Sequence, residues 1–189
     1  MKIVAIVGSL RKNSYNKLLL NAVNKYKKEY LEIEEISIGN LPLYNQDFEK
    51  NPAQEIIDFV EVIRNSDGVL IITPEYNYSI PGVLKNAIDW ASRSFNGKKN
   101  AFFEKPVALM SASMGLFGGV RAQYHLRQIF VNLNAFVMNQ PEFMLSSAHE
   151  KFDENGELKD EFTMKFINTF INSFINWIEK FSLVKSDVA

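Results

Sequence analysis

Short apolar runs alternate along this chain with longer segments whose apolar positions recur every three to four residues. IVAIV at 3–7 is continuous and rich in β-branched residues, the pattern of a strand buried on both faces. Leu18, Leu19, Ala22, Val23 and Tyr26 then follow helical spacing, with Ser14 or Asn13 placed to cap that helix. LEIEEISI at 31–38 alternates like a half-buried strand near a sheet edge. Ile56, Ile57, Val60 and Ile63 share one face of a helix predicted over 53–65. GVLIITPEYN at 68–77 repeats the opening pattern, a wholly apolar strand running into a polar loop.

Pro81 opens the next predicted helix, which places Leu84, Ala87, Ile88 and Ala91 inward. PVALMSAS at 106–113 predicts the fourth strand, and Leu126, Ile129, Phe130 and Leu133 mark the helix after it. AFVMNQP at 135–141 predicts a fifth strand. The last helix puts Phe162, Phe166, Ile167, Phe170, Ile171, Phe174, Ile178 and Phe181 on one face and Asn168, Asn172 and Asn176 on the other. Five β–α units in succession imply a parallel sheet with helices on both faces and right-handed crossovers. No repeat or linker interrupts them, so residues 1–189 are expected to form a single α/β domain. Five units favour the flavodoxin-like doubly wound five-stranded parallel sheet, order 2-1-3-4-5.

Composition narrows the chemistry. The 189 residues are 47% hydrophobic and 23% charged, a globular profile, with a net charge of -1 that gives no global attraction for nucleic acid or anionic membrane. There is no cysteine, which excludes disulfides, thiolate chemistry and Cys-ligated metals. With only His125 and His149 present, a His-based metal site is poorly supported. Redox activity would therefore reside in a bound cofactor. No run approaches the ~20 apolar residues of a membrane span, and no targeting segment is read, so a cytoplasmic protein is expected.

In a 2-1-3-4-5 sheet, ligands bind beyond the carboxyl ends of the strands where the order reverses, between strands one and three. Three loops should meet there: GSLRKNSYN (8–16), TPEYNYSIPG (73–82) and SASMGLFGG (111–119). In the first, a helix N-terminus, the short donors of Ser9, Ser14 and Asn16, and the fork of Arg11 suit a phosphate. The plainer reading makes Ser14 a helix cap and leaves Arg11 and Lys12 as solvated loop charges. Neither the P-loop nor the G-x-G-x-x-G spacing is present. In the second loop, Pro74 and Pro81 stiffen a backbone that could present its N–H groups to a flat heteroaromatic ring, with Tyr76 covering an edge. Alternatively Tyr76 and Tyr78 pack under the loop. Glu75 reads as a partner for a helix dipole rather than as an acid or base. Ser113, Gly115, Gly118 and Gly119 give the third loop either close approach to a ligand or plain flexibility.

Taken together, GSLRKNSYN, TPEYNYSIPGVLKNAIDW and SMGLFGGVRAQYHLRQIFVNLNAFVMNQPEF closely resemble the NADPH-dependent FMN reductase family, and within it the bacterial quinone, chromate and azo-dye reductases. The resemblance spans residues 2 to 145. It implies non-covalent FMN, its phosphate held by the loop from Ser9 through Leu10, Arg11, Ser14 and Tyr15 to Asn16. Pro74, Glu75, Tyr76 and Asn77 would hold the isoalloxazine ring, and Ser113 would close the other side. It further implies NAD(P)H as co-substrate and hydride transfer at flavin N5, with no dedicated catalytic side chain. The two electrons would pass in ping-pong fashion to small acceptors such as quinones, azo dyes, metal oxyanions or free flavin.

The family also implies a homodimer or homotetramer, paired through the helix at 81–92, with Arg121, Tyr124 and Glu142 at an interface between dimers. The connection RSFNGKKNAFFEK at 93–105 is longer than in the nearest relatives and enters its strand from the amino end, away from the flavin. A flavodoxin-like one-electron carrier is the alternative. Its usual strong acidity and hydroxyl-rich phosphate loop are both missing here. A nonenzymatic flavin-binding protein is a third reading that no residue favours.

Overall fold

The computed structural model describes residues 1–186. Six strands carry the architecture: β1 (Lys2–Val7), β2 (Glu32–Ile36), β3 (Gly68–Thr73), β4 (Pro106–Ala112), β5 (Phe136–Val137) and β6 (Phe143–Leu145). The helices are α1 (Tyr15–Tyr26), α2 (Gln54–Arg64), α3 (Gly82–Ala91), α4 (Val120–Asn132), α5 (Ala148–Lys151) and α6 (Glu161–Ser186). The strands are parallel in the order β2-β1-β3-β4-β5, with β6 also on β4, so the reversal falls between β1 and β3 as expected.

The apolar strands divide their residues by parity, because successive side chains of a strand point to opposite faces. Ile3, Ala5, Val7, Leu70, Ile72, Ala108 and Met110 pack against α1 and α6. Val4, Ile6, Val69, Ile71, Val107 and Leu109 pack against α2, α3 and α4. Both faces are covered, which is why these strands are apolar at every position. At the edge, β2 keeps the alternation read from sequence, and Glu34 and Glu35 pair with Lys2 and Lys17. Charges of this kind discourage pairing with a further strand.

Three expectations are corrected. The fifth strand is not continuous over 135–141: β5 pairs Phe136 with Pro106, a spacing of 30 residues, whereas β6 pairs Phe143 with Met110, a spacing of 33. The edge therefore loops out at 138–142, three residues more than the facing stretch of β4, and there Arg127 donates to Met138 O at 3.3 Å and to Asn139 Oδ1 at 3.2 Å and lies 3.6 Å from Glu142. Pro81 is the residue just before α3 and not its first turn. Phe162 is not part of the buried stripe of α6. It is 77% exposed, one turn beyond where Phe166 and Phe170 reach Phe143.

The connection at 93–105 lies at the amino end of β4, and it is packed. Phe95 and Phe102 are buried, with Phe102 edge-on to Phe130 at 5.1 Å. The buried Lys105 ammonium donates to Arg64 O at 2.9 Å and to Ser66 O, satisfying carbonyls at the end of α2.

Candidate active site

Local chemistry shapes the loop after β1. Ser14 is buried and caps α1, its hydroxyl accepting from Asn16 N at 3.2 Å. Asn16 is also buried and bridges to the end of β4. Its Nδ2 donates to Ala112 O at 3.0 Å, and its Oδ1 accepts from Ala112 N at 2.9 Å. These two ties fix the N-terminus of α1 beside β4. Arg11 is exposed, 5.5 Å from the Tyr15 ring centroid, and among the described residues it makes no ion pair. Its charge is therefore available to an anion. At Gly8, a Cβ would stand 2.7 Å from Thr73 Oγ1, so the close approach of β1 to β3 at the reversal requires glycine.

The loop after β3 has a different construction. Tyr76 N donates to Ser79 O at 2.9 Å and Ser79 N to Tyr76 O at 3.0 Å, closing a two-residue turn. Its tip residues, Asn77 and Tyr78, both have positive φ, 50° and 67°. A bulky side chain rarely adopts that conformation unless its surroundings enforce it. Helix α4 supplies the enforcement. Glu75 accepts from Arg121 N at 3.0 Å and from Arg121 Nη1 at 2.9 Å, and Ser79 shares a 2.9 Å hydrogen bond with His125 Nδ1. The dipole partner of Glu75 is thus α4, whose own N-cap, Gly119, offers no side chain.

In the loop after β4, Ser113 has both backbone groups paired, to Leu145 O and Ala148 N, each at 2.9 Å. Its hydroxyl accepts from Gly115 N at 3.1 Å and keeps a proton to donate. Gly118 and Gly119, at φ 58° and 89°, do approach a neighbour closely, but that neighbour is protein. A Cβ there would meet Met144 at 2.9 Å or Ser111 at 2.8 Å.

The three loops enclose a cavity of about 370 Å³. Arg11, Ser14, Tyr15 and Asn16 line it from the first loop; Pro74, Glu75 and Tyr76 from the second; Ser113 from the third. Gly115, read in the sequence as a position of close approach, also lines it; Ala112 and Met114 line it too and were missed, although their positions at and just after the end of β4 mark them. Three residues stand apart. Ser9 reaches the cavity's edge, 3.4 Å from the Tyr76 hydroxyl. Leu10 lies over Gly39 and, with Ser9, faces a separate groove toward the end of β2. Asn77 sits at the exposed turn tip.

The volume lies in the range that holds a small organic ligand. A helix start with an arginine that makes no ion pair among the described residues, together with a stiff aromatic loop, suits a phosphate-bearing heteroaromatic group such as FMN. His125 and His149 are apart from each other in partners, His149 lying 3.7 Å from Glu150. Among the described residues, no three His, Asp or Glu side chains group as metal ligands would. Arg121 and Glu142 each have a partner within the chain, Glu75 and Arg127, while Tyr124 is half exposed.

Known proteins resemble this chain over most of its length. Residues 1–150 match the family model of NADPH-dependent FMN reductases. A quinone reductase of Escherichia coli (strain K12) is 41% identical over 188 residues, covering 97% of this chain and 98% of its own. An NAD(P)H:quinone oxidoreductase of Solanum tuberosum is 46% identical over 172 residues, covering 86% of this chain and 85% of its own. Among solved structures, the flavoenzyme NAD(P)H:(acceptor) oxidoreductase of Paracoccus denitrificans superposes with a TM-score of 0.87 at 37% identity, covering 95% and 97% of the two chains. With the sheet order, the three-loop cavity and these likenesses in agreement, the chain belongs to the NADPH-dependent FMN reductase family.

Proposed function

We propose that this enzyme, an NAD(P)H-dependent FMN oxidoreductase by family, moves two electrons to quinones in a ping-pong cycle within one FMN-binding domain. The observation that carries the reading is the cavity at the β1/β3 reversal, lined both by Arg11, which makes no ion pair among the described residues, and by the Pro74–Tyr76 strap. Arg11, with Ser9, Ser14 and Asn16, would hold the phosphate at the start of α1. Leu10 and Tyr15 would border it. Pro74, Glu75, Tyr76 and Asn77 would hold the ring, and Ser113 would meet its far side.

FMN, when bound, would supply the two-electron redox chemistry, with hydride uptake at N5. The net reaction is NAD(P)H, a proton and a quinone giving NAD(P)⁺ and a hydroquinone. The residues of the chain bind, orient and exclude water. Glu75 is held by Arg121 through both its oxygens, which suits a part in shaping the strap. Tyr76, 48% exposed, and Met114, 61% exposed, form an open apolar rim suited to flat acceptors. Azo dyes, metal oxyanions and free flavin belong to the same proposal as further acceptors.

A homodimer or homotetramer is part of this reading. Leu116, Phe117, Tyr124 and Val131 expose apolar surface on and just before α4, with Leu116 at 84%, an area that another copy would cover. No helix among the described residues is long and apolar enough to cross a membrane, and we place the enzyme in the cytoplasm.

The test is initial-rate kinetics with NADPH and a benzoquinone varied together on the FMN-loaded protein. Parallel double-reciprocal lines are expected. Intersecting lines would overturn the ping-pong order, and no turnover with FMN bound would overturn the quinone reductase.

A further inference from the structure

We infer that Arg121 is the positioning residue for the flavin-facing strap, holding residues 75–79 against α4 within one chain. The inference rests on the FMN reading above. Arg121 engages Glu75 twice, through its backbone N at 3.0 Å and its guanidinium at 2.9 Å. The same guanidinium lies 4.1 Å from the Tyr78 ring centroid and 4.7 Å from that of Phe117. One side chain therefore grips the second loop at two points and the third loop at another.

Geometry explains why the grip is needed. Tyr78 holds φ at 67°, a conformation that persists only where neighbours over-determine it. A cation stacked on its ring restrains the residue that the backbone alone would release. One turn further along α4, His125 holds Ser79 and completes the fixation. The Glu75 carboxylate is 13% exposed, so its bonds to Arg121 are shielded from much of the screening that weakens surface pairs. Arg121 does not line the cavity; it acts through Glu75 and Tyr78 on the loop that does.

The pairing also sets the charge beside the ring. With Arg121 in place the Glu75 carboxylate is neutralised, and without it an uncompensated negative charge remains next to Pro74 and Tyr76. Such a charge opposes electron uptake and lowers the flavin midpoint potential. Loss of the carboxylate leaves the cation alone and raises it.

The test compares Arg121→Met, Glu75→Gln and the double variant by FMN titration, midpoint potential, visible circular dichroism of bound FMN and sedimentation. Each single variant is expected to weaken FMN binding roughly tenfold, as loss of a charge-assisted hydrogen bond would. The double variant should lose less than the sum of the two single losses, since both substitutions break the Arg121–Glu75 side-chain pair. The potential should fall in R121M and rise in E75Q. Should R121M not fold, Arg121→Lys, which keeps the charge without the fork, supplies the comparison with E75Q.

Unchanged FMN affinity and dichroism in the single variants would overturn the inference, as would losses that add in the double variant. A smaller assembly in R121M with E75Q unaffected would also overturn it, placing Arg121 between copies. Failure of the unsubstituted protein to bind FMN would instead remove the functional reading beneath it.

Discussion

The loops after β1 and β3 reach the same cavity by opposite means. The first is held by its own helix: Ser14 caps α1, Asn16 bolts it to Ala112, and Arg11 makes no ion pair among the described residues. The second is held from outside, by Arg121 and His125 of α4, with Asn77 and Tyr78 in left-handed conformations at its tip. One loop therefore offers a free charge on a rigid base, and the other offers rigid shape with its charge neutralised. That division suits a ligand with an anionic end and a flat end.

The contrast can be broken at its strongest point first. Asn16→Ala should strand both the N–H and the C=O of Ala112, each worth about 1–3 kcal/mol when buried and unpaired. Thermal unfolding of the apo protein should show a loss of roughly 2–4 kcal/mol. Arg11→Ala should weaken FMN retention by roughly 1.5–3 kcal/mol while leaving apo unfolding almost unchanged, because the side chain is exposed and its contact with the Tyr15 ring, at 5.5 Å, is a loose one. Unchanged FMN affinity in that variant would remove the phosphate assignment. In the second loop, Asn77→Val forces a β-branched residue into φ 50° and should cost about 1–3 kcal/mol, read by denaturant unfolding.

The smallest effect lies at the start of α6, outside the cavity lining. Asp160 accepts from the Lys151 ammonium and from Thr163 Oγ1 and N, and these bonds, that of Lys151 first, hold its carboxyl down to about 2. Its folded value lies below the unfolded 3.8, so its contribution is complete above about pH 4 and fades as pH falls toward 2. Asp160→Ala should cost about 1 kcal/mol at neutral pH and flatten the acid limb of the stability profile over that window.

The same contrast explains what could be read from the chain. The first loop was legible because its signals are local: a cap two residues before Asn16, a strand of β-branched residues behind it. β1, α1, β3 and β4 were legible because burial on both faces leaves unbroken apolar runs. The grip of Arg121 on Glu75 was not, since 46 residues separate the partners and neither spacing nor periodicity links them. The interrupted fifth strand was missed for a related reason. Its looped-out residues are fixed by Arg127 on α4, while the run 135–141 by itself reads as a short strand. Gly118 and Gly119 were recognised as sites of close approach, but only tertiary packing reveals Met144 and Ser111 as what they approach.

The central claim is that the cavity between these loops holds FMN in a form that takes electrons from NAD(P)H and yields them to a quinone. The direct measurement is the visible spectrum of the FMN-loaded protein, kept anaerobic, on adding one equivalent of NADPH and then one of benzoquinone. The account predicts that the flavin absorbance is lost with NADPH and restored with the quinone. Bound FMN that stays oxidised with both NADPH and NADH would contradict it.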